Sequence, residues 1–250
     1  VTMSKKMRVG VLASGGGTNL QAIIDRSQDG SLAAELVVVI SNNPGAGALE
    51  RAARAGIPTL AIDHRGFSAR EDFDCAVVAA LQEAGVELVV LAGFMRIITE
   101  TFLEAFPQRI INIHPALLPA FPGLHVQQKA LDYGARFSGC TVHFVDGGVD
   151  TGPIIIQAVV PVLQDDDADS LAARILEQEH KVYPRAIQLL AEGRVRVEGR
   201  QVIISPGAAP KCAAMANPPL NGANTRRAIM DNFLAMPPAP LRWSKRWLRG

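Results

Sequence analysis

The stretch Arg109–Gly123, RIINIHPALLPAFPG, decides how this chain is read. Arg109 to Ile113 is a short apolar run of strand type interrupted by Asn112, and Pro115 stops it directly after His114. Asn112 and His114 stand two residues apart at the end of a strand, so their side chains point the same way. Open α/β sheets place ligands beyond the carboxyl ends of their strands, which makes this strand end the expected place for chemistry.

Those two residues suit a particular task. The Asn112 amide and the His114 ring each offer N–H donors, and two donors converging on one oxygen can hold the charge of a tetrahedral intermediate. Asp150 lies in the glycine-rich turn VDGGVDTGP between two apolar runs, a loop able to fold back over the sheet. A carboxylate reaching His114 would favour the imidazolium and keep a proton available near neutral pH. No Ser or Cys occurs between Asn112 and His114, which favours direct attack by a substrate nucleophile over a covalent acyl-enzyme. Taken singly, either side chain is more often a loop hydrogen-bonder than a catalyst.

Working outward, the chain alternates strands and helices. Apolar strands are expected at Met7–Ala13, Glu35–Ile40, Thr59–Ile62, Glu87–Ala92 and Arg109–Ile113. Helices fall between them, one from Thr18 to about Ser27, then Ala48–Ala55, Arg70–Ala84 and Glu100–Ala105, with Thr18 and Ser68 as candidate caps for the first and third. Further on, a helix is read at His125–Tyr133, half-buried strands at Gly139–Val145 and Ile154–Pro161, and a long helix at Ser170–Leu190 capped by the acidic run Asp165–Asp169. This order predicts an α/β fold, a doubly wound, mostly parallel sheet with helices on both faces. On the Gly139–Val145 strand His143 reads as structural, as do His64 and His180, and Glu177 receives no role.

The loop Ser14–Asn19, SGGGTN, is the second functional feature. Its glycines permit a sharp turn, after which the N–H groups of Gly17, Thr18 and Asn19 open a helix whose positive end can hold a phosphate. It is not a P-loop, because no GK[ST] follows. It is not a dinucleotide fingerprint either, because Leu20 replaces the third glycine and the next strand ends in Ser41-Asn42 without an acidic residue. A bare tight turn is the alternative reading. In LAGFMRII, Leu91–Ile98, the residues Leu91, Phe94 and Ile97 read as core.

Composition narrows the class without naming it. A chain of 250 residues with net charge +1 gives no argument for nucleic acid or an anionic membrane. Cys75, Cys140 and Cys212 are widely spaced with no CxxC, consistent with a reducing cytoplasm and with neither a zinc site nor a disulfide framework. The apolar run Val9–Ala13 is too short for a signal sequence, and no stretch is long enough to span a bilayer.

Four segments together resemble phosphoribosylglycinamide formyltransferases: SGGGTNLQAI, VVLAGFMRI at Val89–Ile97, NIHPALLPAFPG, and VDTGPIIIQ at Val149–Gln157. The resemblance runs over about residues 7–204, in order. It implies the formyltransferase fold with a Rossmann-like phosphate-binding half at about 7–106 and a folate and catalytic half at about 107–204. It implies transfer of the formyl group of 10-formyltetrahydrofolate, a co-substrate, to the amine of glycinamide ribonucleotide, with no metal. Catalysis falls to Asn112, His114 and Asp150, and ribonucleotide binding to Gly17, Thr18, Asn19 and Glu179. Folate binding falls to Arg70, Leu91, Met95, Arg96, Ile97, Ile98 and Asp146. The same resemblance makes the Leu118–Pro119 bond a candidate cis peptide. Arg70 read from its helix alone is a solvated surface residue.

Residues 205–250, rich in Ala, Pro, Gly and Asn and ending LRWSKRWLRG, read as an extension without a core of its own. A monomer or homodimer acting on small molecules, with no nucleic-acid or membrane partner, is the expectation. Alternatives remain within formyl chemistry, hydrolysis of the donor or formylation of methionyl-tRNA, whose enzymes carry an additional domain not seen here. A nicotinamide oxidoreductase is opposed by the missing glycine and acidic residue.

Overall fold

Strand formation follows the apolar runs. In the computed structural model, which describes residues 6–206, nine strands and six α-helices alternate: β1 Met7–Leu12, α1 Thr18–Gln28, β2 Ala34–Ser41, α2 Gly47–Arg54, β3 Thr59–Ala61, α3 Arg70–Glu83 and β4 Leu88–Leu91. They continue with α4 Glu100–Ala105, β5 Ile110–His114, α5 Val126–Tyr133, β6 Phe137–Phe144, β7 Ile154–Pro161, α6 Ala168–Ala191, β8 Val195–Glu198 and β9 Gln201–Ile204. The first seven strands form one sheet in the order β3-β2-β1-β4-β5-β6-β7. Strands β3 to β5 in that order run parallel, whereas β6 pairs antiparallel with β5 and β7 with β6. The order reverses between β1 and β4, the switch point at which such sheets open a crevice.

Period-two alternation sends side chains to two cores. Val9, Val11, Leu88, Val90, Ile111 and Ile113 face one side, where α1, α2 and α6 bury Leu20, Ile23, Ala52, Ile175 and Tyr183 against them. Leu12, Val89, Leu91 and Ile110 face the other, covered by Phe73, Val77 and Leu81 of α3 and Phe102 of α4. Each large side chain removed from water in this way contributes about 2 kcal/mol. Gly10 is required on this second face, because a Cβ there would lie 2.6 Å from Leu81 Cδ2 and 2.8 Å from Val86. Asn112 and His114 share the face of Ile110, at the carboxyl end of β5.

Three local expectations need correcting. Thr18 is the first helical residue of α1, not its cap; Gly17, in the left-handed region at φ 74°, stands at the N-cap with no side-chain hydrogen bond. Ser68 does not cap α3 either, because Ala69 holds that position and the Ser68 hydroxyl lies 3.5 Å from Asp72 Oδ2. Helix α6 begins at Ala168, two residues before the expected start, and Asp167 closes a capping box with Ser170. The antiparallel hairpin β8–β9 was not expected; four-residue runs such as VRVE carry too few periods to be told from loop. The Leu118–Pro119 peptide is cis. The extension, from Gly207 to Gly250 with its Trp243 and Trp247, lies outside the described residues.

Candidate active site

Three chain segments meet at the end of β5. Asp150, with φ of 55°, brings its carboxylate over the strand, and its Oδ2 lies 3.3 Å from His114 Nδ1 while accepting the Gly123 N–H at 2.9 Å. The His114 and Asp150 side chains are only 6% and 12% exposed, so their attraction is weakly screened. His114 Nε2 lies 2.9 Å from the Phe121 carbonyl oxygen. Both ring nitrogens therefore face acceptors, an arrangement that suits a ring carrying two protons.

Asn112 is half-buried, with Nδ2 3.3 Å from Nε2 of His143. His143 lies directly opposite it in the β5–β6 register. His143 Nδ1 lies 2.8 Å from the Phe144 carbonyl, which accepts a hydrogen bond and donates none, so the neutral ring carries its proton on Nδ1. Nε2 is then an acceptor, and the Asn112 NH2 must be turned toward it. Burial pushes His143 below the ordinary histidine range, against the opposing pull of the Phe144 carbonyl and Asp150. The distance of 3.7 Å from His143 Nε2 to Asp150 Oδ1 is beyond a hydrogen bond. His143, read from the sequence as structural, is thus in the site. Its signal lay in the pairing of β6 with β5, which no local pattern reveals.

The floor beneath these groups is fixed by Thr141, also on β6. Its hydroxyl donates to the Ala116 carbonyl at 2.7 Å and accepts the Leu118 N–H at 3.1 Å, while Gln157 Nε2 donates to the Leu118 carbonyl at 2.8 Å. The proline-rich exit from the strand is held on both sides.

The SGGGTN loop lies at the switch point. Gly17 is obligatory there, since besides its positive φ a Cβ would sit 2.7 Å from Ala48 Cα. Ala48 N–H donates to the Gly15 carbonyl at 3.1 Å and Arg51 Nε to the Gly16 carbonyl at 2.7 Å. With those carbonyls drawn toward α2, the N–H groups of Thr18 and Asn19 remain as the unfilled donors of the first turn of α1. Asn19 Nδ2 donates to Glu179 Oε2 at 2.7 Å, joining α1 to α6. Glu179 is 6% exposed, and burial raises its carboxyl above the ordinary range.

The segment following β4 abuts this loop. Ser14, which the sequence reading passed over, accepts the Met95 N–H at 2.8 Å and donates to Asn42 Oδ1 at 2.6 Å. Met95 and Ile97 are 66% and 59% exposed, so Ile97 is not core, whereas Leu91 and Phe94 are buried. Arg96 and Ile98 are half-buried and Arg70, the first residue of α3, is exposed. Asp146 is turned into its own loop, where its Oδ1 accepts from Gly148 N and the Thr151 hydroxyl. Among the described residues no group of three or more His, Cys, Asp or Glu side chains is placed to hold a metal, and no helix is long and apolar enough to cross a membrane.

A helix start with unfilled N–H groups, an exposed apolar wall and an Asn–His–Asp cluster, all at the carboxyl end of the parallel strands, suit an α/β group-transfer enzyme. Residues 7–187 match the formyl transferase family, and the chain belongs to it. It is 52% identical over 191 residues to the trifunctional purine biosynthetic protein adenosine-3 of Drosophila melanogaster, covering 76% of this chain but 14% of that protein. It is 42% identical over 204 residues to the phosphoribosylglycinamide formyltransferase of Haemophilus influenzae, covering 82% of this chain and 96% of the relative. The crystal structure of glycinamide ribonucleotide transformylase 1 from Symbiobacterium toebii is 53% identical with a TM-score of 0.80, covering 81% and 95% of the two chains. The chain thus spans a small part of the trifunctional relatives and nearly all of the single-function ones.

Proposed function

We propose that the chain transfers the formyl group of 10-formyltetrahydrofolate to the amine of 5-phosphoribosylglycinamide, giving formylglycinamide ribonucleotide and tetrahydrofolate. The observation that carries this reading is the convergence of Asp150 on His114, 3.3 Å from its Nδ1, on the strand face that also presents Asn112. The single-function relatives of matching length support the same substrates.

Each group then has a task. The N–H groups of Gly17, Thr18 and Asn19 hold the substrate phosphate at the positive start of α1, and Glu179 accepts from the ribose hydroxyls. Met95 and Ile97 form an apolar wall for the flat pterin, with backbone groups of the Arg96–Ile98 segment, Leu91 behind it and Asp146 shaping the loop opposite; Arg70 stands outside for the anionic tail. The amine attacks the formyl carbon directly. Asn112, with its free amide N–H, and His114 stabilise the oxyanion, the C–N bond to the folate breaks, and the proton lost by the amine is balanced by one delivered to the departing nitrogen through His114. To make that delivery Nε2 exchanges the Phe121 carbonyl for the ligand, while Asp150 keeps the ring charged and oriented. No metal enters this scheme. Operation in the cytoplasm as a monomer or homodimer, without nucleic acid or membrane, completes the proposal.

The test mixes purified protein with 10-formyltetrahydrofolate and follows release of tetrahydrofolate with and without glycinamide ribonucleotide. Release that depends on the acceptor is expected. Release at the same rate without it would make the chain a hydrolase of the donor instead.

A further inference from the structure

Asp74 is a buried charge that the mechanism leaves without a task. It lies on α3 with 0% exposure, and its Oδ2 accepts the Thr99 N–H at 2.6 Å. Its Oδ1 is buried without a hydrogen-bond partner, and so are the Thr99 hydroxyl and Arg96 Nε. Burial pushes the carboxyl above its ordinary range, against the hydrogen bond from the Thr99 N–H and the charges of Arg96 and Arg70. The Arg96 guanidinium carbon lies 5.8 Å from the centre of the Phe73 ring, beside Asp74 in the chain.

A carboxylate without full compensation in the interior is costly to bury, so its place in the fold needs a reason beyond packing. Both ends of the segment Arg96–Thr99 are tied to it, Thr99 through its backbone and Arg96 through charge. Between those ends lie Ile97 and Ile98, and Met95 precedes them. With the arginine drawn inward over Phe73 and the Thr99 backbone pinned, the apolar side chains of Met95 and Ile97 are left facing out.

We infer that Asp74 is a positioning residue for the folate wall, a buried anchor that holds the 95–99 segment in the shape that receives the pterin. The inference rests on the folate reading of that wall. It makes the affinity for folate, and not for the ribonucleotide, depend on a carboxylate that touches neither substrate.

Tetrahydrofolate is titrated against the unaltered chain and against Asp74→Asn, which keeps an oxygen acceptor for Thr99 N–H but removes the charge. Binding of tetrahydrofolate is expected to weaken about tenfold, equivalent to 1.4 kcal/mol. KM for the formyl donor should rise in step, while kcat at saturating donor and KM for glycinamide ribonucleotide stay within about twofold. Unchanged tetrahydrofolate affinity, or a fall in all constants together, would overturn the inference. Thr99→Pro, which removes the N–H that Asp74 accepts, should raise the donor KM about tenfold with the same selectivity; if Asp74→Asn does not fold, an unaltered donor KM in this variant overturns the inference instead. An unaltered chain that binds tetrahydrofolate without formylating the ribonucleotide would contradict the substrate reading alone. One that does not bind tetrahydrofolate would overturn both.

Discussion

Asn112 Nδ2 and His143 Nε2 face each other at 3.3 Å across the β5–β6 ladder, and this pair fixes which way the Asn112 amide is turned. Because the Phe144 carbonyl claims the Nδ1 proton, His143 can only accept at Nε2, which takes one amide N–H of Asn112 and leaves the second for another acceptor. In His143→Ala the amide is free to flip and to turn its oxygen toward a developing oxyanion. Steady-state kinetics should show kcat lowered about 10- to 100-fold with both KM values within about threefold.

The same histidine sets a pH dependence. Its ring is neutral in the fold because burial holds it below the ordinary value of 6.5, whereas in the unfolded chain it takes a proton as pH drops through that value. The unfolded state then binds more protons, so stability rises with pH in this window and falls as pH is lowered below about 6.5. Urea unfolding between pH 5 and 8 should show that decline, and His143→Gln should flatten it.

How much of this was legible beforehand follows physical lines. The parallel half of the sheet was visible because most of its strands are short, mainly apolar runs, and Asn112 and His114 stood out because they interrupt one. The capping positions were misread at Thr18 and Ser68 because a left-handed glycine or a bare backbone can start a helix without any side chain. His143 and Ser14 were not legible as site residues, since their tasks exist only once β6 pairs with β5 and the β1 and β4 loops meet. Asp74 passes for one more polar residue of α3 until the helix is seen to carry it inward.

Tyr183 ties α6 to the sheet beneath the site. Its hydroxyl, fully buried, lies 2.8 Å from the Leu91 carbonyl and 3.2 Å from that of Ile111. Tyr183→Phe keeps the ring but removes the single hydroxyl proton these two carbonyls share, and chemical denaturation should report a loss of about 1–2 kcal/mol.

Arg51 braces the Ser14–Asn19 loop through the Gly16 carbonyl. Arg51→Ala should raise KM for glycinamide ribonucleotide about tenfold, because the donors proposed to hold its phosphate lose their alignment, with kcat and the KM for the formyl donor within about twofold. Steady-state measurements with each substrate varied in turn decide it; a matching rise in the donor KM would mean a general loosening of the fold.

The most direct measurement is the single-turnover rate of Asp150→Asn with both substrates bound. The asparagine can still accept the Gly123 N–H but presents no negative charge to His114 Nδ1. Transfer should slow by about 10²- to 10⁴-fold, with tetrahydrofolate affinity within about twofold of the unaltered chain. A rate within about threefold of the unaltered chain would contradict the account.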